Sequence, residues 1–294
     1  MTLLPAATEI VAALGDLRVL VGISHECDYP PAVQHLPRVT TTGVDVQAGG
    51  ATIDAEVRRL RESGQPVIAV DADQLRRLAP DLIITQDLCE VCAVGEGQVH
   101  RLASTMRPTP RVLSLEARDL EGIWRDMAMV GAALELPDEA EELVLGLQNR
   151  LARLRSPQHG ARARVLCIEW LDPLYLAGHW VPELVAAAGG QDIGASPGSH
   201  SARRGWSELD RLRPDRIVVM LCGFGIEQSR AELDRVTDPA ALELMSRVPT
   251  WIIDGNSYTS RPGPRVVDGA ARIHCALSGA AMSGVERWQP AGVC

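Results

Sequence analysis

The chain has 294 residues, a hydrophobic fraction of 46% and a net charge of −9, which together suggest one large or two medium domains with ordinary cores. The acidic balance and an aromatic content of only 3% give no reason to expect a nucleic-acid partner or a base-stacking platform. The sequence contains no lysine, so mechanisms that need a Schiff-base lysine or a P-loop lysine are excluded.

The N-terminus and the cysteines bear on where the protein works. The opening segment lacks the basic region of a signal peptide, Glu9 interrupts its apolar run, and no stretch of the sequence reaches the length of a membrane span. Seven cysteines in a chain of this kind favour free thiols or metal ligands over disulfides. We therefore expect a cytoplasmic protein without a membrane span.

The first part of the chain alternates short apolar runs with amphipathic stretches. The apolar runs predict strands at 3–5, 19–23, 66–70, 82–85 and 111–115. Helical periodicity predicts helices at 7–14, 53–62, 72–78, 97–106 and 120–134. Polar segments follow two of the strands, at 24–30 and 86–92. Strands that alternate with helices are typical of a parallel sheet covered by helices.

A long helix is predicted over 137–155, where apolar residues recur at helical spacing. Pro137 suits a first helical position, and acidic residues fill the first turns while arginines fill the last, as the helix dipole favours. At roughly 1.5 Å per residue this helix is about 28 Å long, enough to connect two domains. We assign a first lobe to 1–136, a linker helix to 137–157, a second lobe to 158–282 and a mobile tail to 283–294.

The second part of the chain repeats the alternation. Strands are predicted at 164–168, 174–177, 216–220 and 250–254, and the main helices at 181–188, 206–212 and 261–281. Residues 75–89 and 209–222 share a Pro-Asp pair, a β-branched run and a closing Leu-Cys. Ligands bind at the carboxyl ends of strands in open α/β sheets. We therefore expect two Rossmann-like α/β lobes with parallel sheets, and Cys89 and Cys222 in one cleft between them.

These elements resemble a known family, the substrate-binding proteins of ABC importers for vitamin B12, haem and siderophores. The matching segments are LPAATEI at 4–10, VGIS at 21–24, DYP at 28–30, PDLI at 80–83, Gly178 with 183–190, and the Pro-Asp pair at 214–215. The resemblance is strongest to the B12-binding branch. It implies two lobes joined by a long rigid helix, with a corrinoid or another small-molecule or metal-complex ligand in the cleft. It also implies a transporter partner, which we do not expect for a chain without a leader.

Cysteines and a histidine in two of the polar segments suggest a metal centre. Cys89 and Cys92 form a C-x-x-C pair after a predicted strand, and His25 and Cys27 occupy another loop of the same lobe. Three thiolates could hold an iron–sulfur cluster, and three thiolates with one imidazole could hold a zinc ion. A redox pair is equally allowed for the C-x-x-C motif. Small buried cysteines that only pack are the structural alternative.

Further candidates lie near other strand ends and helix starts. Glu169 and His179 flank a strand-loop-strand unit and are candidates for acid/base roles, although a lone histidine is more often structural. A helix N-terminus directly after His179 would lower its pKa. The ligand-binding candidates, each with core packing, a solvated turn or a helix start as the alternative, are His25, Asp28, Gln86, Trp180, Cys222, Phe224, Tyr258 and Arg261.

Two functions remain open from the sequence. The first is a cytoplasmic relative of the B12-binding proteins that holds a corrinoid, a tetrapyrrole, a metal ion or a cluster in a cleft lined by Cys and His. The second is a metal- or iron–sulfur-dependent enzyme on the same scaffold, with thiolates as metal ligands and Glu169 or His179 as acid or base. A visible spectrum taken with an elemental analysis separates the two.

Overall fold

The computed structural model describes residues 1–86, 94–154 and 161–290, and these form two compact units. Unit 1 comprises Met1–Ala48, Thr52–Ala117 and Glu121–Leu145. Unit 2 comprises Gly49–Ala51, Arg118–Leu120 and the described residues from Gly146 onward. Two short stretches from the first part of the chain therefore belong with unit 2.

Unit 1 is an α/β unit with short strands. Its strands are β1 (Thr40–Thr42), β2 (Ile68–Val70), β3 (Leu82–Gln86) and β4 (Arg111–Leu115). The helices that lie wholly or partly in it are α1 (Pro5–Ala13), α2 (Gly50–Glu62), α3 (Ala72–Leu78), α4 (Glu96–Ser104), α5 (Leu120–Ala133) and α6 (Pro137–Leu154). β3 and β4 are parallel, whereas β1 and β2 are antiparallel. Isolated parallel bridges join Thr2 to Ile84 and Ile23 to Arg38.

Aliphatic side chains form the core of unit 1. They come from strands and helices alike and include Leu3, Val39, Ile68, Leu75, Ile83 and Val99. Asp71 begins α3 by accepting a hydrogen bond from the Gln74 backbone N–H, and Ala79 ends it in a left-handed conformation. β1 and β2 have only three residues each, so packing holds them in place more than their own propensity does.

The helix predicted over 137–155 is observed as α6, and the boundary between the two units falls inside it, after Leu145. Asp138 lies in its first turn and Arg153 in its last, where both favour the helix dipole. Ala140 is buried, as the apolar stripe predicts. Among the described residues, neither α6 nor any other helix has both the length and the apolar character needed to cross a membrane.

A buried carboxylate fixes the connection between β4 and α5. The Asp126 side chain is 2% exposed and accepts hydrogen bonds from the backbone N–H groups of Glu116 (3.3 Å) and Ala117 (3.0 Å). Burial raises the pKa of this carboxyl group from its ordinary value of 3.8 to about 6, although the two hydrogen bonds oppose the shift. The connection between β4 and α5 is therefore held by the Asp126 carboxylate, whose charge is costly to bury.

Unit 2 is built on one seven-stranded sheet. Its strands are β5 (Arg164–Leu171), β6 (Leu174–Leu176), β7 (Gln191–Asp192), β8 (Ala202–Arg203), β9 (Arg216–Val219), β10 (Thr250–Ile253) and β11 (Val285–Trp288). Its helices are α7 (Val181–Ala187), α8 (Trp206–Leu209), α9 (Ile226–Asp234), α10 (Pro239–Arg247), α11 (Gly255–Tyr258) and α12 (Val266–Ser278).

The centre of this sheet is parallel. The strand order is β11-β10-β9-β5-β6-β8, with β7 also paired to β5. β7, β9 and β10 are parallel to β5, and β6, β8 and β11 extend the sheet as antiparallel strands. The predicted α/β fold with parallel strands is confirmed. Because β5, β9 and β10 are parallel, their carboxyl ends meet at one edge. This carboxyl edge of unit 2 consists of 169–171, 220–224 and 254–261.

The segment after the last helix contains a strand. Residues 283–294 were predicted to form a mobile tail, but β11 pairs with β10 in antiparallel register. Trp288 is 5% exposed, and its Nε1–H donates to Asp234 at 2.9 Å. The prediction is wrong for β11, because a short segment without periodicity gains its order from such tertiary contacts.

Candidate functional site

Three segments meet at the carboxyl edge of unit 2 and are tied together through the backbone. The Cys222 N–H donates to the Glu169 carbonyl at 3.0 Å, and the Asn256 N–H donates to the Phe224 carbonyl at 3.1 Å. Gly255 has no room for a side chain, since a Cβ there would lie 2.1 Å from a backbone carbonyl oxygen. The backbone at this edge is therefore closely packed and holds its side chains in fixed positions.

An aromatic pair lies on this edge. The rings of Trp170 and Phe224 are 5.4 Å apart with their planes at 56°, a tilted arrangement that is favourable for aromatic rings. Phe224 is 4% exposed, whereas Trp170 is half-buried and its Nε1–H donates to the Asp172 carbonyl at 3.1 Å. Phe224 was predicted as a ligand-binding residue, whereas Trp170 was not. The available signal was its place directly after Glu169, at the end of an apolar strand.

Two glycines at the start of α2, Gly49 and Gly50, border the aromatic pair. The Gly50 N–H donates to Glu232 Oε2 at 2.9 Å, and a Cβ on Gly50 would lie 3.4 Å from the Trp170 indole. Glu232 also forms an ion pair with Arg235. These contacts all lie within unit 2, to which Gly49–Ala51 belongs. From the sequence, Gly49 and Gly50 were expected only in a loop.

The third segment of the edge ends in a buried arginine. Arg261 is 7% exposed, and its Nη2 donates to Asn256 Oδ1 at 2.8 Å. Asn256 is also the residue whose N–H bonds to Phe224. A guanidinium in such a position is suited to bind a carboxylate or an amide oxygen. The anion contact predicted at Arg261 is therefore chemically possible.

Tyr258 and Cys222, both predicted to bind ligand, have different surroundings. The Arg272 guanidinium lies 3.4 Å from the centroid of the Tyr258 ring, and that of Arg265 lies 5.1 Å from it. Cation–π contacts within unit 2 therefore engage this ring. Cys222 is a half-buried free thiol next to Gly223, which has φ +75° in the turn. Of the two, Cys222 has the more open environment.

His179 and Trp180 lie in the turn between β6 and α7. Trp180 is 5% exposed and its Nε1–H donates to the Thr259 carbonyl at 2.9 Å, so it belongs to the core of unit 2. His179 has φ +54°, and its ring lies 5.4 Å from that of His200, edge to face. Burial and then the charges of His200 and Arg118 lower the pKa of His179. The direction agrees with the prediction from the sequence, and burial is the largest cause.

Glu169 and His179, the predicted acid/base residues, have different neighbours. Strands β9 and β6 flank β5 on opposite sides. Glu169 bonds through its carbonyl to Cys222, which follows β9, whereas His179 follows β6 and its N–H donates to the Ser199 carbonyl at 2.6 Å. Glu169 thus belongs to β5 and bonds to the segment after β9, whereas His179 belongs to the turn after β6. Their catalytic roles stay a prediction.

In unit 1, Cys27 lies in a closed network of hydroxyl groups. Its side chain is 0% exposed, and Sγ lies 3.0 Å from Thr8 Oγ1 and 3.3 Å from Ser24 Oγ. Thr8 Oγ1 in turn lies 2.6 Å from Thr2 Oγ1. Arg38 holds the loop by donating to the carbonyls of Ser24 and Cys27. These contacts give Cys27 a packing role, while its role as a metal ligand stays a prediction.

His25 is held by Thr40. The His25 backbone N–H donates to Thr40 Oγ1 at 2.9 Å, and His25 Nδ1 lies 2.7 Å from the same oxygen. Burial and, second, the charge of Arg38 lower the pKa of His25, so the imidazole is neutral at neutral pH. Nε2 is buried and has no hydrogen-bond partner among the residues that the structure describes.

The remaining candidates of unit 1 are Asp28, Gln86, Cys89 and Cys92. Asp28 is exposed, and its carbonyl accepts a hydrogen bond from Gln34 Nε2 at 3.3 Å. Gln86, the last residue of β3, is 7% exposed. Cys89 and Cys92 lie outside the described residues. Within the described parts of the chain, no three His, Cys, Asp or Glu side chains are arranged to hold a metal ion.

Comparison with known proteins identifies the family. A family model described as periplasmic binding protein matches residues 2–251. The chain belongs to the periplasmic binding protein family. It is 23% identical over 227 residues to the vitamin B12-binding protein of Salmonella choleraesuis (strain SC-B67), a match that covers 74% of this chain and 71% of that protein.

Solved structures of periplasmic binding proteins share the fold. A periplasmic heme-binding protein from Pseudomonas aeruginosa has a TM-score of 0.72 at 20% identity, with 99% of this chain and 98% of that chain covered. The periplasmic vitamin B12-binding protein BtuF of Vibrio cholerae has a TM-score of 0.59 at 20% identity, with 94% and 95% covered. At these identities the likeness concerns the fold. The family resemblance noted in the sequence is confirmed.

Proposed function

We propose that this member of the periplasmic binding protein family binds a corrinoid or a tetrapyrrole, a flat macrocycle that carries a metal. The observation that supports this best is the carboxyl edge of unit 2. Trp170 and Phe224 form an aromatic pair there, and Cys222 and the buried Arg261 belong to the same edge. Ligands of open α/β sheets bind at this kind of edge.

Each part of the carboxyl edge matches a part of such a ligand. The half-buried indole of Trp170 offers an aromatic face to a planar π-system. Arg261 can donate charge-assisted hydrogen bonds to carboxylate or amide oxygens at the ring periphery. Cys222 supplies a soft thiol that can approach a metal at the ring centre. Together these groups favour a macrocycle over a sugar or an amino acid.

The names of the relatives support the same ligand class. The Salmonella relative is named for vitamin B12, and the two solved structures are named for heme and for vitamin B12. Both kinds of molecule are macrocycles with a central metal. The relatives therefore support the class of ligand and do not separate a corrinoid from a tetrapyrrole.

Removal of the Trp170 indole tests the proposal. Trp170→Ala should weaken binding of the macrocycle about 30-fold, because loss of a central aromatic contact costs about 2 kcal/mol. Trp170→Phe keeps an aromatic face and should weaken binding less. Titration with cyanocobalamin and with haemin, followed by visible absorbance, measures these affinities.

Trp251 gives the matched control for this experiment. It is a half-buried indole in β10 of the same sheet, before the carboxyl end of that strand. Trp251→Ala should leave the affinity unchanged. The proposal fails if the wild type binds neither macrocycle, or if Trp170→Ala binds as tightly as the wild type.

A metal centre with thiolate ligands, the more specific prediction from the sequence, stays a prediction. Cys27, Cys89 and Cys92 would hold the iron–sulfur cluster or zinc ion, and the enzyme alternative would add Glu169 or His179 as acid or base. The buried Cys27 thiol already lies against two hydroxyl groups, which does not favour this centre. Iron, sulfide and zinc analysis after anaerobic purification tests it. Stoichiometric metal in the wild type that is lost in Cys89→Ser would support it.

The location of the protein and the position of its ligand also belong to the proposal. The cytoplasmic location stays a prediction, as do a ligand position between the two units, a lining by Cys and His, and the absence of a transporter partner. Fractionation of cells that express the natural gene tests the cytoplasmic location. Recovery from the periplasm or the membrane would contradict it.

A further inference from the structure

Two histidine rings lie next to each other beside the turn after β6. The ring centroids of His179 and His200 are 5.4 Å apart, and the ring planes meet at 89°. His179 is half-buried and His200 is exposed, so solvent and small ions can reach the pair. Both residues belong to unit 2. Imidazole is a common ligand of transition metal ions in proteins, and two imidazoles at this distance form a candidate metal site.

The backbone sets the distance between the two rings. The His179 N–H donates to the Ser199 carbonyl at 2.6 Å, and the Gly198 N–H donates to the His179 carbonyl at 2.9 Å. Gly178 allows this close approach, because a Cβ there would lie 2.4 Å from the Ser199 oxygen and 2.7 Å from the His200 carbonyl carbon. The two segments that carry the rings are therefore in direct backbone contact. Ligands held on such a support are well placed for a shared metal ion.

The spacing of the rings fits a shared tetrahedral metal ion. A zinc ion lies about 2.0–2.1 Å from an imidazole nitrogen, hence roughly 3.2 Å from the centre of that ring. Two such rings in a tetrahedral arrangement have centres about 5.2 Å apart, close to the 5.4 Å observed. The metal must also lie in the plane of each ring, and planes that meet at 89° share a line of such positions. His200 is exposed, so its ring can turn a nitrogen towards that line.

The charges around the pair act in both directions. Burial and then the charges of His200 and Arg118 lower the pKa of His179, which keeps its imidazole in the neutral form that binds metals. The positive charge of Arg118 also opposes a metal cation. A carboxylate near the same loop offsets part of this charge, since Asp119 Oδ2 lies 3.9 Å from the position that a Cβ on Gly198 would occupy.

We propose that His179 and His200 together bind a divalent transition metal ion such as zinc, with water molecules completing its coordination. Among the residues that the structure describes, no third His, Cys, Asp or Glu side chain completes the set. The site therefore resembles an open zinc site more than a closed structural one. It includes no residue of the carboxyl edge of unit 2 and does not depend on the binding of a macrocycle. It also gives His179 a role other than that of a catalytic acid or base.

Calorimetric titration of the chelator-treated protein with zinc chloride tests the site. The wild type should bind one zinc ion per chain, and His200→Ala should weaken this binding by at least about 10-fold, because loss of even a partner of a metal ligand has such an effect. His179→Asn should do the same, since asparagine tolerates the left-handed backbone but lacks the imidazole. His35, an exposed histidine of unit 1, gives the control His35→Ala, which should bind zinc like the wild type.

Thermal unfolding shows whether the variants fold and whether zinc binds the folded state. Without zinc, His200→Ala should melt at the same temperature as the wild type, because His200 is exposed. With zinc, the melting temperature of the wild type should rise, and that of His200→Ala should rise less. A wild type that binds no zinc, or a His200→Ala variant that binds it as tightly, would overturn the inference.

Nitrogen NMR of histidine-labelled protein separates this site from a thiolate centre. Zinc should shift the ring signals of His179 and His200 together, with the same dependence on zinc concentration. Zinc that shifts neither signal, and whose binding is lost in Cys89→Ser, would belong to the thiolate centre and overturn the inference. A shift of only one of the two rings would also overturn it. The Trp170→Ala experiment tests macrocycle binding separately, so either proposal can fail while the other stands.

Discussion

The loop after Ile23 in unit 1 and the carboxyl edge of unit 2 each carry a cysteine just past a β-paired residue, yet the surroundings of the two thiols differ. Cys27 is fully buried against the hydroxyl groups of Thr8 and Ser24. Cys222 is half-buried and is held only through its backbone N–H in the contacts described above. Cys27 is thus a packing group that neighbouring side chains contact, whereas Cys222 is a candidate site group that the backbone positions.

A similar difference separates the polar side chains of two loops of unit 1 from the candidate site residues of unit 2. In unit 1, Asp126 and Arg38 direct their side chains onto backbone groups of their own unit. In unit 2, Trp170 and Cys222 remain half-buried on an edge whose backbone is closely packed. These two loops of unit 1 are therefore stabilised by polar side chains that bond to the backbone, whereas Trp170 and Cys222 are partly exposed on a closely packed backbone. Two predictions test this contrast.

The larger effect is expected for Asp126, whose pKa is raised to about 6 from an ordinary value of 3.8. A group with a raised pKa contributes stability that is present below its ordinary pKa and is lost as the pH rises through the folded value. The wild type should therefore lose about 3 kcal/mol from this residue between pH 4 and pH 7. Asp126→Asn stays neutral, so its free energy of unfolding relative to the wild type should rise by that amount.

Chemical denaturation of both proteins at several pH values measures this difference. Asp126→Ala serves as the control, since it removes the charge together with the two hydrogen bonds and should be less stable than Asp126→Asn at every pH. A difference between Asp126→Asn and the wild type that stays constant from pH 4 to pH 7 would show that unit 1 does not bury this charge as described.

A smaller effect separates the two cysteines. Cys27→Ala should lower the free energy of unfolding by about 1–2 kcal/mol, because it leaves a small cavity and two hydroxyl groups without their sulfur neighbour. Cys222→Ala should cost about 0.5 kcal/mol or less, as expected for a partly exposed position. Denaturant titration measures both, and thiol labelling of the native protein should modify Cys222 before Cys27. Equal costs, or faster labelling of Cys27, would remove the contrast between the two loops.

Much of the fold could be predicted because it depends on local patterns. The periodicity and charge distribution of 137–155 predicted α6, and apolar runs after Pro80 and Pro214 predicted β3 and β9. These features need only the 3.6-residue and two-residue repeats of the backbone. Where order comes from distant contacts, the sequence carried no signal. β11 is an example, since its Trp288 depends on Asp234, 54 residues away.

The candidate site was predictable in part for the same reason. Cys222, Phe224 and Arg261 follow strands, and a parallel sheet brings strand ends together. Trp170 was missed because it lies near the carboxyl end of β5, and an apolar residue within a strand is normally part of the hydrophobic core. The position of the His25 ring depends on Thr40, 15 residues away, and such a pair becomes visible only when the backbone has been folded.

Hydrogen exchange of the protein with and without bound macrocycle tests most directly whether the carboxyl edge of unit 2 holds the ligand. We expect slower exchange at 169–172 and 222–224 when cyanocobalamin or haemin is bound, because the ligand would cover the Trp170–Phe224 pair. We expect no change at 196–200, the loop whose Ser199 carbonyl bonds to His179. Protection of 196–200 without protection of 169–172 and 222–224 would contradict this expectation.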